Sequence, residues 1–570
     1  MRVHSLQCIP SFMFRLLFIC LIAISLRSQN PSSPPAASAT PPQTPVVRSY
    51  TRLVQVNVVV TDKKGVPISG LKKEDFTVLD GKEPQQIAVF LAASPALSGP
   101  VKRLPFNMFT NRYDALGEDP GSINIILFDA LNTAPTDIMN ARNQMIKFLK
   151  SLKPQDRVAI YALTNNLLIL RDFTADSAAL VSMVQQAETV SSSTDGIFSS
   201  LAATDSVWAG LNSVSNNSDA LFRLQQDADR VETTCKALEI IADHVSGISG
   251  RKSLIWVSGG FPRDIFDPGG GAQIDLNKEM KLAMEAVSRA DIAVYPVDVH
   301  GAELTPGMSS SSRSAPAQTA SLNSPFFARR ARLETFNFVA DQTGGQAFYG
   351  NNDLADAARK AVGDGRQAYT LGFYPTHNEW NGQFRAVKVQ VNIPGAELRY
   401  RKGYIAAAAN TTSSTFAETE IQKAAVSPLE ATALRLVVSV RHTTPSDTHQ
   451  LEFQVGADVS QLLLEHSAGY WTGGVDLLFL QRDAKGAFLA AEQKHIGLNL
   501  PDDQYETLLK TGAIFERHLD ILPTTEDVRV LVRDSASGIV GTVTIPLKNF
   551  RPVPSAAGPA HSKDAKPPKP

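Results

Sequence analysis

Residues 123–133 read Ile123-Asn124-Ile125-Ile126-Leu127-Phe128-Asp129-Ala130-Leu131-Asn132-Thr133, an apolar segment of strand length that stops at an acidic residue. Uninterrupted apolar character is typical of a strand buried on both faces, as in a parallel sheet covered by helices. Ligands of open α/β sheets bind beyond the carboxyl ends of the strands. The segment therefore predicts a buried strand and a candidate site formed by Asp129, Asn132 and Thr133.

The sequence after this segment alternates between helix and strand patterns. Apolar residues recur every three or four positions, which predicts an amphipathic helix, at Ile138, Ala141, Met145, Phe148, Leu149 and Leu152. Further strand patterns lie at 156–163, 253–257, 292–297, 369–374, 384–391 and 398–401. The alternation predicts an α/β domain over 118–404, built on a doubly wound, mostly parallel sheet.

Two β-rich regions flank the α/β domain. Residues 50–95 alternate between apolar and polar positions, and we expect them to form a small β unit that docks on the next domain. Residues 426–552 contain several strand patterns, among them a hairpin of 528–532 and 541–546, and are predicted to form a β-sandwich. An Ala-, Thr- and Ser-rich segment at 405–425 is predicted to be the linker before it.

The N-terminus has the order of a secretory signal peptide. Basic residues precede an apolar run at 16–26, and small polar residues follow it. We expect a signal peptide at 1–28, a Pro-rich linker at 29–49 and, at the other end, a disordered tail at 553–570. The protein is therefore expected to be secreted or to lie in the periplasm or cell envelope. The alternative is that the apolar run is retained as a membrane anchor.

Charge and cysteine content narrow the function classes. Lys and Arg total 55 and Asp and Glu total 56, so no net charge favours binding to nucleic acid or to an anionic membrane. Cys8 and Cys20 lie within the predicted signal peptide, which leaves Cys235 without a disulfide partner. The helical pattern around Cys235 predicts a buried, small apolar role for it.

Several segments together resemble the von Willebrand factor type A (vWA) domain, and more narrowly a secreted vWA-related family abundant in acidobacteria. They are the strand that ends at Asp129, the segment Gly-Arg-Lys-Ser-Leu-Ile-Trp-Val-Ser-Gly-Gly-Phe-Pro at 250–262, and the segments at 231–238, 293–298 and 369–375. The resemblance covers residues 50–405 and implies adhesion through a metal-ion-dependent site. In vWA domains a carboxylate of the partner protein completes the shell of the metal.

The resemblance also implies which residues would bind Mg²⁺. Asp129 stands at the position of the Asp ligand and Thr133 at that of the second hydroxyl ligand of the first loop. Thr233 or Thr234 lies near the position of the second-loop Thr. Mg²⁺ prefers an octahedron of oxygen ligands and needs only one or two protein carboxylates, so this set is chemically reasonable.

Two positions depart from the metal-binding pattern. Leu131 replaces the first hydroxyl ligand, and Gly259 replaces the Asp of the third loop. The divalent-metal site is therefore expected to be degenerate. The alternative to metal binding is that Asp129 caps the following helix or binds loop amides, with Asn132 and Thr133 shaping the turn.

No arrangement of residues predicts catalysis. Ser258 follows a strand and precedes two glycines, but Trp256 stands where a nucleophile elbow has glycine, and no acid–base partner is evident. A turn that needs positive φ explains Gly259 and Gly260. His244 closes a predicted helix, where a surface or capping role is expected. The protein is expected not to be an enzyme, with a hydrolase acting through Ser258 as the remaining alternative.

Two functions stay open. The first is protein–protein interaction or adhesion through the top face of the α/β domain, formed by the loops at 129–136, 191–218, 230–234, 259–271 and 306–325. The second is a structural or scaffold component of an envelope or extracellular assembly, in which the β regions make the contacts and the metal site is vestigial. Both imply a protein partner, whose identity the sequence does not reveal.

Overall fold

The computed structural model describes residues 53–92, 104–112, 123–153, 156–189, 218–248, 250–260, 265–266, 273–274, 277–300, 325–350, 354–377, 381, 383–406, 414–444 and 447–550. The predicted signal peptide (1–28), Pro-rich linker (29–49) and C-terminal tail (553–570) lie outside these ranges. Within them, no helix has both the length and the apolar character that a membrane span needs.

The first part of the chain contains short strands, followed by alternating strands and helices. The elements are β1 Val54–Thr61, β2 Phe76–Asp80, β3 Glu83–Gln85, β4 Ile87–Leu91, β5 Met108–Thr110, β6 Ile123–Asp129, α1 Pro135–Leu149, β7 Arg157–Leu163, β8 Leu167–Thr174, α2 Ser177–Thr189, α3 Ser218–Val245, β9 Lys252–Ser258, β10 Ile265–Phe266, β11 Gln273–Ile274, α4 Asn277–Arg289, β12 Ile292–Asp298, α5 Pro325–Thr343 and α6 Leu354–Gln367.

The second part of the chain is mostly β. Its elements are β13 Tyr369–Phe373, β14 Phe384–Val391, β15 Glu397–Arg399, β16 Gly403–Ile405, α7 Ser414–Val426, β17 Leu436–Thr444, β18 Asp447–Ala457, β19 Glu465–Ser467, β20 Tyr470–Arg482, β21 Phe488–Pro501, α8 Asp502–Thr511, β22 Ala513–Asp520, β23 Asp527–Asp534 and β24 Val540–Pro546. The predicted hairpin at 528–546 is confirmed, since β23 and β24 pair antiparallel.

A five-stranded mixed sheet forms the centre of the α/β region, in the order β12-β9-β6-β7-β8. The first four strands are parallel, as predicted, and β8 is an antiparallel edge strand that the sequence patterns did not reveal. Every residue of β6 is buried, because helices cover both faces of the sheet. Ile125 and Leu127 share a core with α3, α4 and α5, whereas Ile126 and Phe128 share one with α1, α2 and α6.

Strands 369–374, 384–391 and 398–401 do not belong to the central sheet, so that expectation is wrong. β13 pairs with β1 and β4, β14 pairs with β2, and β15 pairs with β1. They complete two four-stranded sheets around one apolar core with the N-terminal strands. The physical reason is visible in β14, whose alternating exposed and buried positions suit a sheet with one wet face.

The C-terminal region contains two antiparallel sheets over one apolar core. Their orders are β22-β18-β17-β5 and β19-β20-β23-β24, with β21 also paired to β20. Phe453 and Phe479 meet edge to face across this core, with ring centroids 5.7 Å apart. Part of the predicted linker at 405–425 is instead helical, because α7 buries Ile421 and Ala425 against the second sheet.

Candidate functional site

Asp129 is the last residue of β6, and its carboxylate is buried at the carboxyl edge of the central sheet. The parallel register places Asp129 beside Ser258, the last residue of β9. On the other side of Asp129 the chain turns through Asn132 and Thr133 before Pro135 begins α1. The end of β6 and the turn that follows it thus bring together Asp129, Asn132 and Thr133, the residues that the sequence predicts for the first loop.

The Asp129 carboxylate accepts hydrogen bonds from neutral donors on the neighbouring strand β9 and on the turn after β6. Its Oδ2 accepts from Ser258 Oγ at 2.7 Å and from Trp256 Nε1 at 3.1 Å. Its Oδ1 accepts from the backbone N–H of Asn132 at 3.0 Å. Burial raises the pKa of the Asp129 carboxyl, and the bonds from Ser258, Asn132 and Trp256 oppose that rise.

The side-chain amide of Asn132 lies where three oxygen atoms converge. Its Nδ2 is 3.0 Å from Asp129 Oδ1, 2.9 Å from Asp129 Oδ2 and 2.9 Å from Thr234 Oγ1. Thr234 comes from α3, 102 positions further along the chain, and its hydroxyl donates to the carbonyl of Arg230 at 2.8 Å. The amide therefore joins a strand end to a distant helix, as a bound cation would.

Thr133 and Gly259 complete the site without offering a free ligand. The Thr133 hydroxyl accepts a hydrogen bond from the N–H of Gly259 at 2.7 Å. A Cβ added at Gly259 would lie 2.4 Å from the carbonyl oxygen of Asn132, so this position requires glycine. Positive φ, expected at both glycines, occurs at Gly260 (φ +74°), whereas Gly259 is selected by close packing.

These residues do not fit the Mg²⁺ site that the vWA resemblance implies. The Asp129 oxygens, the Thr133 hydroxyl and the Thr234 hydroxyl all accept or donate protein hydrogen bonds. Leu131 packs against the apolar core, and no side chain can occupy position 259 without a clash. The point between the oxygens is filled by the Asn132 amide, whose positive hydrogens take the place that Mg²⁺ would need.

The other predicted residues differ in their contributions. Both threonines of the pair lie within α3 rather than in a loop, and Thr234 is the one that reaches Asn132, whereas Thr233 is half-buried beside it. Ser258 is buried, donates to Asp129 and accepts from the N–H of Gly260, a structural arrangement. In the part of the chain that the structure describes, no group of three or more His, Cys, Asp and Glu side chains could bind a metal ion.

A second polar cluster lies at the same edge of the sheet and is open to solvent. His300 Nδ1 is 2.7 Å from Asp298 Oδ1, and its Nε2 is 3.9 Å from Asp137 Oδ2. Arg332 reaches within 3.9 Å of Asp298 from α5. Asp298 is buried at the end of β12, whereas Asp137 and His300 are partly exposed. We call these four residues the His300 cluster.

A third polar cluster joins the central sheet to the C-terminal region. His244, for which the sequence predicts a surface or capping role, is not at the surface but buried at the end of α3. Its Nδ1 is 2.6 Å from the carbonyl oxygen of Glu430 and its Nε2 is 3.4 Å from Asp172 Oδ1. The Glu430 carboxylate accepts from Thr542 and lies 3.6 Å from Arg529. We call these five residues the His244 junction.

Of the loops predicted to form the contact surface, 191–217, 306–324 and most of 259–271 lie outside the described residues. The predicted buried role of Cys235 is confirmed. Burial raises the pKa of its thiol to about 12, so this cysteine is unreactive at neutral pH.

No family model and no curated protein matches the chain. Similar solved structures include an aerotolerance-related membrane protein from Bacteroides fragilis carrying multiple mutations to serine, at 13% identity over 43% of this chain and 98% of that chain, with a TM-score of 0.24. BatB from Bacteroides thetaiotaomicron has 11% identity over 43% and 97% of the two chains, with a TM-score of 0.23. A mutant of the PilB minor pilin from Streptococcus sanguinis has 10% identity over 43% and 61%, with a TM-score of 0.23. Values this low assign neither a family nor a function.

Proposed function

We propose that the protein is an exported, vWA-like interaction protein whose contact surface is the carboxyl edge of the five-stranded sheet, and that this surface works without a divalent ion. One observation carries the proposal: the Asn132 amide binds both oxygens of Asp129 and the hydroxyl of Thr234. The edge of the sheet is thus held in shape by the chain itself.

The same observation decides how a partner would be recognised. In a metal-dependent site, the ion holds the loops together and also binds an acidic group of the partner. Here both amide hydrogens of Asn132 are used within the protein. A partner would therefore contact the groups around the closed site, among them exposed Ala134 and the partly exposed Asp137 and His300.

Calorimetric titration of Mg²⁺ and Mn²⁺ tests the absence of a metal. We expect no saturable heat with the natural protein or with Asp129→Ala. A double variant, Leu131→Ser with Asn132→Ala, removes the amide and adds a hydroxyl, so it should gain saturable Mn²⁺ binding. Saturable binding to the natural protein that Asp129→Ala abolishes would overturn the proposal.

Site-specific photo-crosslinking in the producing cells tests the contact surface. A photoreactive residue at Ala134, which is exposed beside the closed site, should give a discrete adduct with a protein partner. The matched control is Gln504, exposed on α8 in the C-terminal region. Adducts formed from Gln504 and not from Ala134 would contradict binding through the sheet edge.

The second candidate function, a structural component of an envelope or extracellular assembly, is favoured by a different observation. Within the described residues, the longest strand of the C-terminal region is paired along one side only. An open strand edge is a surface on which β structure from another chain can assemble.

A further inference from the structure

β21 is a strand of 14 residues with an open edge. It pairs with β20 in regular register from Pro501 opposite Tyr470 to Ala490 opposite Gln481, and a one-residue bulge separates these pairs from Phe488 opposite Arg482. No other strand of the described chain pairs with its second side. Alternate N–H and C=O groups along that side are consequently available to another strand.

This edge is longer than the other sheet edges of the described chain. Its 14 residues compare with eight in β8 and β22, seven in β24, and three in β3, β5 and β15. The one proline of β21 is its last residue, and its two charged residues, Glu492 and Lys494, have opposite signs. An edge whose charged side chains all had the same sign would repel a second copy, whereas the opposite charges on β21 do not.

The side chains of β21 alternate between two faces of the sheet. Ile496, Leu498 and Leu500 lie on the inner face, where they pack against the core of the C-terminal region. Glu492 has the same parity and binds Arg517 of β22 in the facing sheet at 2.6 Å. The even-numbered residues from 490 to 500 thus form one row beside the facing sheet, and the bulge next to Ala490 leaves Phe488 outside this row.

That row is self-complementary about Gln493. If a second copy of β21 pairs antiparallel with Gln493 opposite Gln493, Glu492 lies opposite Lys494 of the other copy, and the reverse pair forms too. Ala490 then lies opposite Ile496 of the other copy, and the reverse pair forms as well. Opposite-charge and apolar pairs directly across strands both stabilise a sheet.

We propose that two copies of this chain associate through β21, with a two-fold axis at Gln493, and form one continuous antiparallel sheet. The occupant of the edge is a second copy because the central residues of the row, Ala490, Glu492, Lys494 and Ile496, all find matching partners among the same residues of the other copy, as a two-fold symmetric interface requires. Arg517 remains beside Glu492 and adds a second cation to that acidic group.

Charge-swap variants test this pairing by sedimentation velocity between ~1 and ~200 µM. The natural protein should show a reversible dimer. Lys494→Glu keeps the Arg517–Glu492 pair but places acids opposite each other twice, so it should weaken association by about 10-fold or more. Glu492→Lys should do the same, and the double swap should restore dimerisation; equal thermal unfolding temperatures would show that the fold is unchanged.

Disulfide trapping locates the two-fold axis. In a Cys8→Ser, Cys20→Ser background, Gln493→Cys should give a disulfide-linked dimer under mild oxidation, because residues directly opposite lie close enough to bridge. Cys235 does not compete, since it is buried. Gln504→Cys, exposed on α8, is the matched control and should stay monomeric. A natural protein that is monomeric at ~200 µM, a dimer that Lys494→Glu leaves intact, or equal trapping at both positions would each overturn the proposal.

Discussion

The Asp129 site and the His244 junction each withdraw a carboxylate from water, completely for Asp129 and partly for Glu430, and the pKa values of these two carboxyl groups shift in opposite directions. Burial raises the pKa of Asp129, whose partners are an amide, an indole, a hydroxyl and a backbone N–H. Burial acts in the same sense on Glu430, but Arg529, Thr542, Thr544 and His244 outweigh it and lower the pKa. Neutral donors stabilise the anion less than charged ones do.

The difference shows what each region can do. Neutral, fixed donors hold the turn after β6 in one geometry, which suits a preformed surface. Charged partners at the His244 junction connect β8, α3 and the segment before β17, so they tie the central sheet to the C-terminal region. The first region should respond mainly to changes in shape, and the second also to the charge of His244.

The largest effect is expected from Gly247→Ala, which tests the packing of the junction. A Cβ at Gly247 would lie 1.7 Å from the carbonyl oxygen of Thr432, and the N–H of Gly247 donates to the Thr432 hydroxyl at 2.9 Å. The end of α3 cannot stay docked, so we expect a loss of about 4 kcal/mol in the free energy of unfolding.

Denaturant unfolding measures this loss, and Gly363→Ala is the matched control. Gly363 lies in α6, where an added Cβ meets nothing within 4 Å. That variant should be more stable by up to about 1 kcal/mol, because alanine favours helix. If the free energy of unfolding of Gly247→Ala lies within about 1 kcal/mol of the natural value, the junction tolerates movement.

A smaller effect is expected when the Asp129 site is opened. Asp129→Ala leaves the donors of Asn132, Trp256 and Ser258 without their acceptor. This substitution should lower the free energy of unfolding by about 3 kcal/mol. Asn132→Ala should lower the free energy of unfolding by about 1.5 kcal/mol, because it removes the amide that joins Asp129 to Thr234.

The double variant decides whether the amide and the carboxylate act as one unit. Because the two side chains share their bonds, Asp129→Ala with Asn132→Ala should cost about 1 kcal/mol less than the sum of the single losses. Additive losses in denaturant unfolding would mean that the Asn132 amide does not take the structural place of a cation.

The sequence predicts the parts of the fold that local patterns determine. The apolar runs of β6, β7, β9 and β12 indicate buried strands because both faces of the sheet are covered. Asp129 at the end of such a run indicates the location of the candidate site. The alternating polarity of β14 also signals a half-exposed strand, and that signal argues against a place in the central sheet.

Long-range pairing is what the sequence does not predict. β1 pairs with β13 at a separation of some 300 residues, and apolar patterns alone do not select that partner. The role of Asn132 depends on Thr234 arriving from α3, and that of His244 on Glu430, 186 positions away. Polar side chains satisfy one another only after the packing has brought them together.

The smallest effect is the pH dependence of the His244 junction. Burial tends to lower the pKa of His244, but Asp172 and Glu430 raise it above its usual value. Partial desolvation tends to raise the pKa of Asp172, but His244, Phe173 and Tyr161 lower it to about 2. The His244 contribution is therefore fully present below a pH of about 6.5 and is lost as the pH rises through its higher folded-state pKa. The Asp172 contribution is present above a pH of about 4 and is lost toward a pH of 2.

His244→Gln isolates this pH dependence. The loss of the charged pair should lower the free energy of unfolding by about 1 kcal/mol at a pH near 6, a value reduced because Asp172 is half-exposed to solvent. The deficit should shrink as the pH rises toward 9, since the natural protein then loses the same contribution. Urea unfolding at several pH values measures the slope, and Gly363→Ala, which removes no titratable group and no side-chain hydrogen bond, should keep the slope of the natural protein. A deficit that stays constant with pH would show that His244 contributes packing and hydrogen bonds alone, and the contrast between the two regions would then be one of shape and not of charge.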